Sequence, residues 1–389
     1  TQFVHLWVCD QTEKSNDTFE DYGLFTQVEQ LNKTALKAHG LDKSGHLYKV
    51  NSFDFHRYKD TIKLADDPGY NQANFEGMLE IKGDSDHTKL IEMLDALNDE
   101  SQKIDNVLDT YFDTENLVYW LAFQILTGNC DTQNRNCYLY SPLNSNTWYF
   151  LDWDNDGMLR KLELSLTGFS DYASWERGAS NYWGNVLFNR ALRSKSFRSE
   201  LDGAVKDLRS YMTEARLSKM IKHYREVTES LVFASPDIDH LPVTKDQYEQ
   251  IAAAIPSEIE ENYKSFRESF KKPMPFYIGV PQIDNGKLRI NWDASYDFEA
   301  RDIRYTVELA RDYAIKDVLF KAEDVLLPEV TCDAPDAGQY FVRVRATNSD
   351  GYTQDAFDYY VTDDGKHYGM KCFYVQDGGK VVEDTYEEG

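Results

Sequence analysis

The chain has 389 residues, 41% of them hydrophobic and 14% aromatic, so it can form two or three folded domains and is not a disordered chain. Its formal net charge of −25 excludes a general nucleic-acid-binding protein and disfavours docking on anionic membranes, because both need Lys and Arg to meet phosphates. No apolar run approaches the ~20 residues of a membrane-spanning helix, so we expect no membrane insertion.

Residues 1–80 are predicted to be rich in strands. Alternation of apolar and polar side chains predicts strands over residues 3–8, 22–29 and 46–50. Glu29 ends the second of these strands, and Lys49 lies within the third. Composition alone gives Lys49 no role, because a lysine on a strand is solvated in most proteins.

A helix is predicted near the middle of the chain. Asp113 is a suitable N-cap, and Gly128 followed by Asn129 is a typical C-terminal stop, because both residues tolerate positive φ. A mostly apolar stripe recurs between them at helical spacing, formed by Leu117, Trp120, Leu121, Gln124, Ile125 and Thr127. An amphipathic helix around residues 90–97 is predicted to open the same helical region.

A hairpin with a polar loop on each side follows the central helix. The polar turn Asp131–Asn136 precedes a predicted strand over residues 137–140. A second strand over residues 148–151 runs into the acidic loop Asp152–Gly157. The predicted order is therefore helix, polar loop, hairpin and acidic loop.

From residue 185 to residue 272 the pattern is again helical. We predict separate helices over residues 244–255 and 258–270, because Pro256 is typical of a helix start. The prolines of Lys271–Pro275 then mark a domain boundary, since proline cannot continue the preceding helix.

Residues 276–389 are predicted to be an all-β domain, because alternating strands and turns are spaced like those of a small sandwich. A resemblance to fibronectin type III domains is carried by Trp292, Tyr305, Tyr340, Ala346, Asn348 and Gly351. Core packing accounts for Trp292 and Tyr340, so we assign no functional site to this domain.

The spacing of polar residues around the hairpin is typical of phosphoryl transfer. In protein kinases a loop Asp accepts the proton of the attacking hydroxyl, an Asn five residues later binds metal, and an Asp beyond the next hairpin also binds metal. Asp131 and Asn136 have this spacing, and Asp154 lies beyond the hairpin. The usual His-Arg before the first Asp and Phe-Gly after the second are absent, which excludes an ordinary protein kinase.

These residues resemble the spore-coat CotH kinase family, a group of atypical protein-kinase-like proteins. The resemblance spans roughly residues 1 to 270. It is carried by Gly128–Asp131, Asn136–Tyr140 and Trp153–Asp156, and the earlier blocks Gly23–Glu29 and Leu47–Lys49 fit it too.

The resemblance implies an α+β, bilobal kinase-like domain followed by the sandwich. The expected parts are a strand-rich small lobe over residues 1–80, a helical large lobe over residues 81–272 and a fibronectin-type-III-like domain with a C-terminal hairpin over residues 276–389. We expect the small lobe to be incomplete, because no G-x-G-x-x-G phosphate loop is present and the family's first small-lobe block has no counterpart here.

The resemblance also implies ATP and Mg²⁺ as cofactors and a Ser or Thr hydroxyl of a protein as acceptor. Asp131 would be the base, working with Asn136. Lys49 would contact the ATP phosphates and pair with Glu29, and Trp148 is a candidate for stacking on adenine, although a strand aromatic is more often part of the core. The expected metal ligands are Asp154, Asn136, Asp156 and Asp152.

The acidic loop has a second interpretation as a calcium site. Residues 152–163 fit the pattern D-x-[DN]-x-[DN]-G-x5-E, with Glu163 as the last ligand. An EF-hand is excluded because proline and strand-forming aromatics precede the loop where a helix would be needed. A calcium loop without helices and a plain acidic surface turn both stay open.

The alternative function is a non-catalytic scaffold or adhesion protein, extracellular or on a cell surface, with a degenerate kinase fold and a calcium-binding loop at residues 152–163. Hydrolysis of carbohydrate by paired carboxylates fits the composition but has no motif behind it. For either main function we expect an extracellular or cell-surface location in a bacterium.

Overall fold

The computed structural model describes residues 1–10, 12, 18–168, 172–363 and 365–384. It combines helices and sheets in two compact units, residues 1–170 with 194–261 and residues 171–193 with 262–389. Strands dominate the C-terminal part of the chain, as the sequence predicts, while the predicted domain limits stay a prediction. In the described part of the chain, no helix is both long and apolar enough to cross a bilayer.

The helices are numbered in chain order. They are α1 (Lys33–Ala38), α2 (Gln72–Met78), α3 (Thr88–Asn98), α4 (Ile104–Tyr111), α5 (Thr114–Thr127), α6 (Lys161–Leu166), α7 (Val186–Arg193), α8 (Lys195–Tyr211), α9 (Glu214–Val232) and α10 (Lys245–Ser269).

The strands are numbered in the same way. They are β1 (Gln2–Val8), β2 (Glu20–Gln27), β3 (His46–Val50), β4 (Leu79–Ile81), β5 (Cys137–Ser141), β6 (Tyr149–Asp152), β7 (Gln282–Asp284), β8 (Lys287–Asn291), β9 (Ile303–Ala310), β10 (Val318–Val325), β11 (Glu329–Asp333), β12 (Gly338–Asn348), β13 (Thr353–Asp355), β14 (Tyr359–Thr362), β15 (Gly365–Tyr368), β16 (Met370–Val375) and β17 (Val381–Glu383).

An antiparallel sheet of order β4-β3-β5-β6 organises the first unit. Because side chains alternate along each strand, one face carries His46 and Tyr48, and the other carries Lys49 and Tyr138. The first face is buried: His46 and Tyr48 lie against Trp148, and His87 stacks on Phe75 at a ring distance of 4.1 Å. Strands β1 and β2 form a separate two-stranded ribbon.

The predicted central helix is confirmed as α5. The Asp113 side chain accepts a hydrogen bond from the Asn116 amide at 2.9 Å, and Gly128 ends the helix in the left-handed region with φ 65°. The helix packs against α8 with its apolar side chains buried. The hairpin that follows is confirmed too, with β5 and β6 paired antiparallel.

The prediction of two helices over residues 244–270 is wrong, because α10 is one helix with Pro256 inside it. Proline removes one backbone hydrogen bond, but the burial of apolar residues in the turns beyond it can hold the helix together. Ile259 and Phe266, after the proline, are both 1% exposed. The Ser257 hydroxyl turns back to the Ala254 carbonyl at 2.8 Å instead of marking a new start.

Most β-strands of the second unit form two facing sheets, and β14 and β15 pair as a separate two-stranded ribbon. One has the order β11-β8-β7, and the other has the order β10-β9-β12-β16-β17 with β13 beside β12. Side chains from both sheets share a buried core that includes Ile290, Trp292 and Val342. The aromatic stretch over residues 162–184, whose residues 169–171 lie outside the described part, places Trp175 and Trp183 in the interior of this unit.

Candidate functional site

The two polar loops leave the same end of the β5–β6 hairpin. The register pairs Cys137 with Asp152, so Asn136 immediately precedes one strand at the point where the acidic loop leaves the other. At the same end, the position that a Cβ of Gly157 would occupy is 3.7 Å from the Cβ of Asp131. The loop that contains Asp131 and the loop that contains Asp154 are therefore neighbours.

Asp131 is held by two residues of its own loop. Its Oδ2 accepts a hydrogen bond from Asn136 Nδ2 at 2.8 Å, and its Oδ1 lies 2.8 Å from Arg135 Nε. Asn136 adopts the left-handed region with φ 58°, which Asn tolerates better than most residues. About half of the Asp131 and Arg135 side-chain surfaces remains exposed, so the carboxylate can be reached from solvent.

The acidic loop carries the second set of carboxylates. Asp154 has φ 56° and precedes a single 3-10 turn, Asn155–Gly157. Among the residues that the structure describes, no hydrogen bond or ion pair engages the carboxylates of Asp154 and Asp156. Asp152 differs, because its Oδ1 accepts a hydrogen bond from Gln124 Nε2 at 2.9 Å. Partial desolvation by the surrounding protein raises the pKa of the Asp152 carboxyl, and the hydrogen bond from Gln124 offsets part of that rise.

Buried amides join the end of α5 to both loops. Gln124 and Asn129 are 0% and 1% exposed, and Asn129 Nδ2 donates to Gln124 Oε1 at 3.0 Å. The Leu159 amide donates to the Thr127 carbonyl at 2.8 Å, which ties the chain beyond the acidic loop to the same helix end. The C-terminal turn of α5 therefore supports the Asp131 loop and the Asp154 loop together.

Comparison with protein families matches residues 1–266 to the family described as CotH kinase protein. The chain belongs to the CotH kinase family. Family membership indicates an atypical kinase, in agreement with the order of the two loops around the hairpin. A comparison with curated proteins finds no match.

Among solved structures, the chain is similar to the "Twitchin kinase region from C.elegans (Fn31-NL-kin-CRD-Ig26)". The identity is 18%, the TM-score is 0.19, and the match covers 24% of this chain and 20% of that chain. The CotH chain thus spans about a fifth of the length of that structure.

Lys49, on the β4-β3-β5-β6 sheet, lies on the same face of that sheet as Trp153. Its Nζ lies 5.7 Å from the centre of the Trp153 ring, which itself packs edge-on against Tyr138. Glu80 is the residue directly opposite Lys49 on β4. The expected partner, Glu29, instead lies with its Oε2 2.7 Å from His39 Nε2, so the structure does not bring Glu29 and Lys49 together as an ion pair.

Trp148 lies on the buried side of the sheet, opposite Lys49. Its ring is 1% exposed and packs about 6 Å from the rings of His46 and Tyr48. Its backbone is fixed by hydrogen bonds to Tyr111 and Asp113. In this structure Trp148 is a core residue, and its ring is not open to an adenine base.

The oxygen donors at the two loops can be compared with what magnesium and calcium each require. In the described ranges, no group of three or more His, Cys, Asp or Glu side chains is placed to hold a metal ion. Glu163, the last residue of the calcium pattern, is instead bound by Arg160 through two contacts of 2.8 and 2.9 Å. Mg²⁺ needs only one or two protein carboxylates when phosphates and water supply its other ligands, whereas Ca²⁺ needs six to eight oxygens.

Proposed function

We propose that the CotH region is a Mg²⁺-dependent kinase that transfers the γ-phosphoryl group of ATP to a Ser or Thr hydroxyl of a protein. The observation that carries this proposal is the neighbouring position of the Asp131–Asn136 loop and the acidic loop at one end of the hairpin. Membership of the CotH kinase family supports it.

Asp131 would accept the proton of the attacking hydroxyl. Asn136 fixes one carboxylate oxygen by donating to it, while Arg135 contacts the other in an exposed ion pair. Exposed pairs of this kind contribute only about 0–1 kcal/mol, so an acceptor hydroxyl can replace the guanidinium without a large penalty. The hydroxyl oxygen would form the new bond to the γ-phosphorus as the bond from that phosphorus to the ADP oxygen breaks, and Asp131 would keep the proton.

Asp154 and the Oδ1 of Asn136 would hold the metal, since the Nδ2 of Asn136 is already used on Asp131. Asp156, on the same loop, is a further oxygen donor. When bound, ATP would supply the phosphoryl group and Mg²⁺ would supply the positive charge that neutralises it. Lys49, next to Trp153, is the side chain that we assign to the nucleotide phosphates.

Replacement of Asp154 tests the proposal. We expect Asp154→Ala to reduce phosphoryl transfer roughly a thousandfold, because a charged metal ligand is lost. Transfer of label from γ-labelled ATP to protein Ser and Thr is the measurement, and Asp109→Ala, a change of an exposed aspartate on α4, is the matched control. Equal transfer by Asp154→Ala and the unaltered protein would reject Asp154 as a ligand.

A thermal-shift measurement separates kinase from calcium-stabilised scaffold. We expect Mg-ATP to raise the melting temperature and Ca²⁺ alone to leave it unchanged, because Glu163 is committed to Arg160 and no carboxylate cage is formed by the described residues. A rise with Ca²⁺ alone and none with Mg-ATP would favour the scaffold.

We further propose that the second unit contains a fibronectin-type-III-like sandwich and that the protein works outside the cell or on the surface of a bacterium. The buried Trp292, 5.1 Å from the ring of Tyr305, supports the first part. So does the Tyr340 hydroxyl, which donates to the Asp336 carbonyl at 2.9 Å as a tyrosine corner does. Fractionation of the producing cells tests the location.

A further inference from the structure

Gln124 is a polar residue within the apolar stripe of α5, and every polar atom of its side chain is used. Its Nε2 donates to Asp152 Oδ1 at 2.9 Å and to Asn155 Oδ1 at 3.2 Å. Its Oε1 accepts from Asn129 Nδ2 at 3.0 Å. With 0% of its surface exposed, the side chain cannot exchange these partners for water. One buried amide thus bonds to two residues of the acidic loop and to Asn129, which precedes the Asp131 loop.

Asn129 extends this connection to Asp131. Its amide N donates to the Gln124 carbonyl at 3.1 Å, and its Oδ1 lies 3.4 Å from the amide N of Asp131. On the other side, Asn129 Nδ2 is 3.4 Å from Asn155 Oδ1. A Cβ on Gly157 would come within 2.6 Å of Asn129 Oδ1, so the acidic loop packs directly against this amide.

The direction of the Asp152 side chain distinguishes a hydrogen-bond partner of Gln124 from a metal ligand. Side chains alternate along β6, so Asp152 shares a face with Phe150, which packs 4.9 Å from the Trp120 ring of α5. Trp153 lies on the opposite side, beside Lys49. Asp152 therefore points to the helix and its Gln124 partner, whereas no hydrogen bond from the described residues reaches the Asp154 carboxylate.

We propose that Gln124 is a positioning residue that fixes the spacing between the Asp131 loop and the Asp154 loop, and that Asp152 is its anchor and not a metal ligand. The proposal rests on the proposed kinase function for its catalytic consequence. Its structural content, the shared support of two loops by one amide, does not depend on that function.

Three variants test it: Gln124→Glu, Asp152→Asn and the double variant. Gln124→Glu replaces the donating amide with a carboxylate that faces Asp152, so the two side chains repel each other. In the double variant the new amide at position 152 can donate to the new carboxylate at position 124, which restores the bond with its direction reversed. The matched control is Asn116→Asp, the same change of amide to acid on the same helix, where the Asn116 side chain bonds to the backbone of Phe150 on β6.

The first readout is the Mg²⁺ concentration that gives half-maximal ATP binding. We expect Gln124→Glu to raise it by about ten- to a hundredfold, as losses of groups that orient metal ligands do. The double variant should recover most of that loss, and Asn116→Asp should lower the melting temperature without changing the Mg²⁺ dependence. Failure of the double variant to recover, with Asp152→Asn as impaired as Asp154→Ala, would make Asp152 a metal ligand and overturn the proposal.

The second readout is hydrogen–deuterium exchange, which needs no ligand. We expect Gln124→Glu to speed exchange of residues 129–136 and 153–159 together, and the control to leave both unchanged. If neither loop, or one loop alone, responds, the shared support is refuted. If both respond but the unaltered protein never binds Mg-ATP, the kinase proposal fails while the role of Gln124 in joining the loops stands.

Discussion

Gly157 has no room for a side chain, and this makes it the sharpest single-residue test of the contact between the two loops. The Cβ of an alanine would lie 2.6 Å from Asn129 Oδ1, and Asn129 cannot move freely because it is buried and bonded to Gln124. We expect Gly157→Ala to lower the free energy of unfolding by about 1–3 kcal/mol, measured by urea denaturation, and to weaken phosphoryl transfer.

Gly203→Ala is the matched control for that change. Gly203 lies within α8, and no atom outside its own helix lies within 4 Å of the position its Cβ would take. There the same substitution should raise the free energy of unfolding by about 0.5–1 kcal/mol, because alanine is the better helix former. Two equal effects would show that the acidic loop does not press on Asn129.

Single residues also show how far the sequence alone can define the site. The kinase-like spacing selects Asp131, Asn136 and Asp154, and the structure brings their loops together. The spacing says nothing of Gln124, because only the fold reveals that a polar residue in an apolar stripe faces other amides. Its presence in a stripe of Leu, Trp and Ile was the available signal.

Trp148 and Trp153 also show that the sequence alone does not define the site. Alternation along β6 predicts that Trp153 and Asp152 lie on opposite faces, but which face is buried depends on the partners of the sheet. The structure buries Trp148 beside Tyr48 and places Trp153 near Lys49. Deciding which of the two tryptophan rings lies near Lys49 requires the strand register, and a sequence motif does not give that register.

At the scale of elements, the sequence predicts best where local signals agree. An N-cap, an apolar stripe and a C-terminal glycine all define α5, and strand-forming residues on either side of a turn define β5 and β6. In α10 the local signal and the packing disagree: Pro256 favours a break, while the burial of Ile259 and Phe266 after it favours continuation of the helix. Tertiary packing decides, and a single sequence does not show it.

Pro256→Ala tests that account of α10. Proline inside a helix is about 3 kcal/mol less favourable than alanine. Proline also lowers the conformational entropy of the unfolded chain, which stabilises the folded state by about 1 kcal/mol and offsets part of that cost. We therefore expect the variant to raise the free energy of unfolding by about 1–2 kcal/mol in urea denaturation. Pro68→Ala, in an exposed turn, should instead lower it by about 0.4–1 kcal/mol, and a loss at both positions would mean that the buried proline ring is needed for packing.

For the whole molecule, two buried histidines make the free energy of unfolding depend on pH. His46 and His87 lie beneath the β4-β3-β5-β6 sheet at 3% and 0% exposure. Burial lowers the pKa of both histidines. For His46 the nearby Lys89 lowers the pKa further, while Asp84 and Asp86 act in the opposite direction. Both are therefore neutral in the folded protein at pH 7.

This sets the sign of the pH dependence. The unfolded chain binds a proton at each histidine near its ordinary pKa of about 6.5, whereas the folded protein resists protonation there. The stabilisation that comes from keeping the two histidines neutral is fully present above the unfolded-state pKa of about 6.5. It is lost as the pH falls, by at most about 1.4 kcal/mol per pH unit for each histidine. We expect the free energy of unfolding to decrease from pH 7 to pH 5, measured by urea denaturation at fixed ionic strength.

His46→Phe should flatten that decrease, because an aromatic ring beside Tyr48 and Trp148 is kept and the proton site is removed. His56→Gln, a change of an exposed histidine, should leave the slope as it is. The slope is the informative quantity, since a loss of packing lowers stability equally at every pH while removal of a titrating group changes the slope. An unchanged slope in His46→Phe would show that His46 takes up its proton as readily in the folded protein as in the unfolded chain.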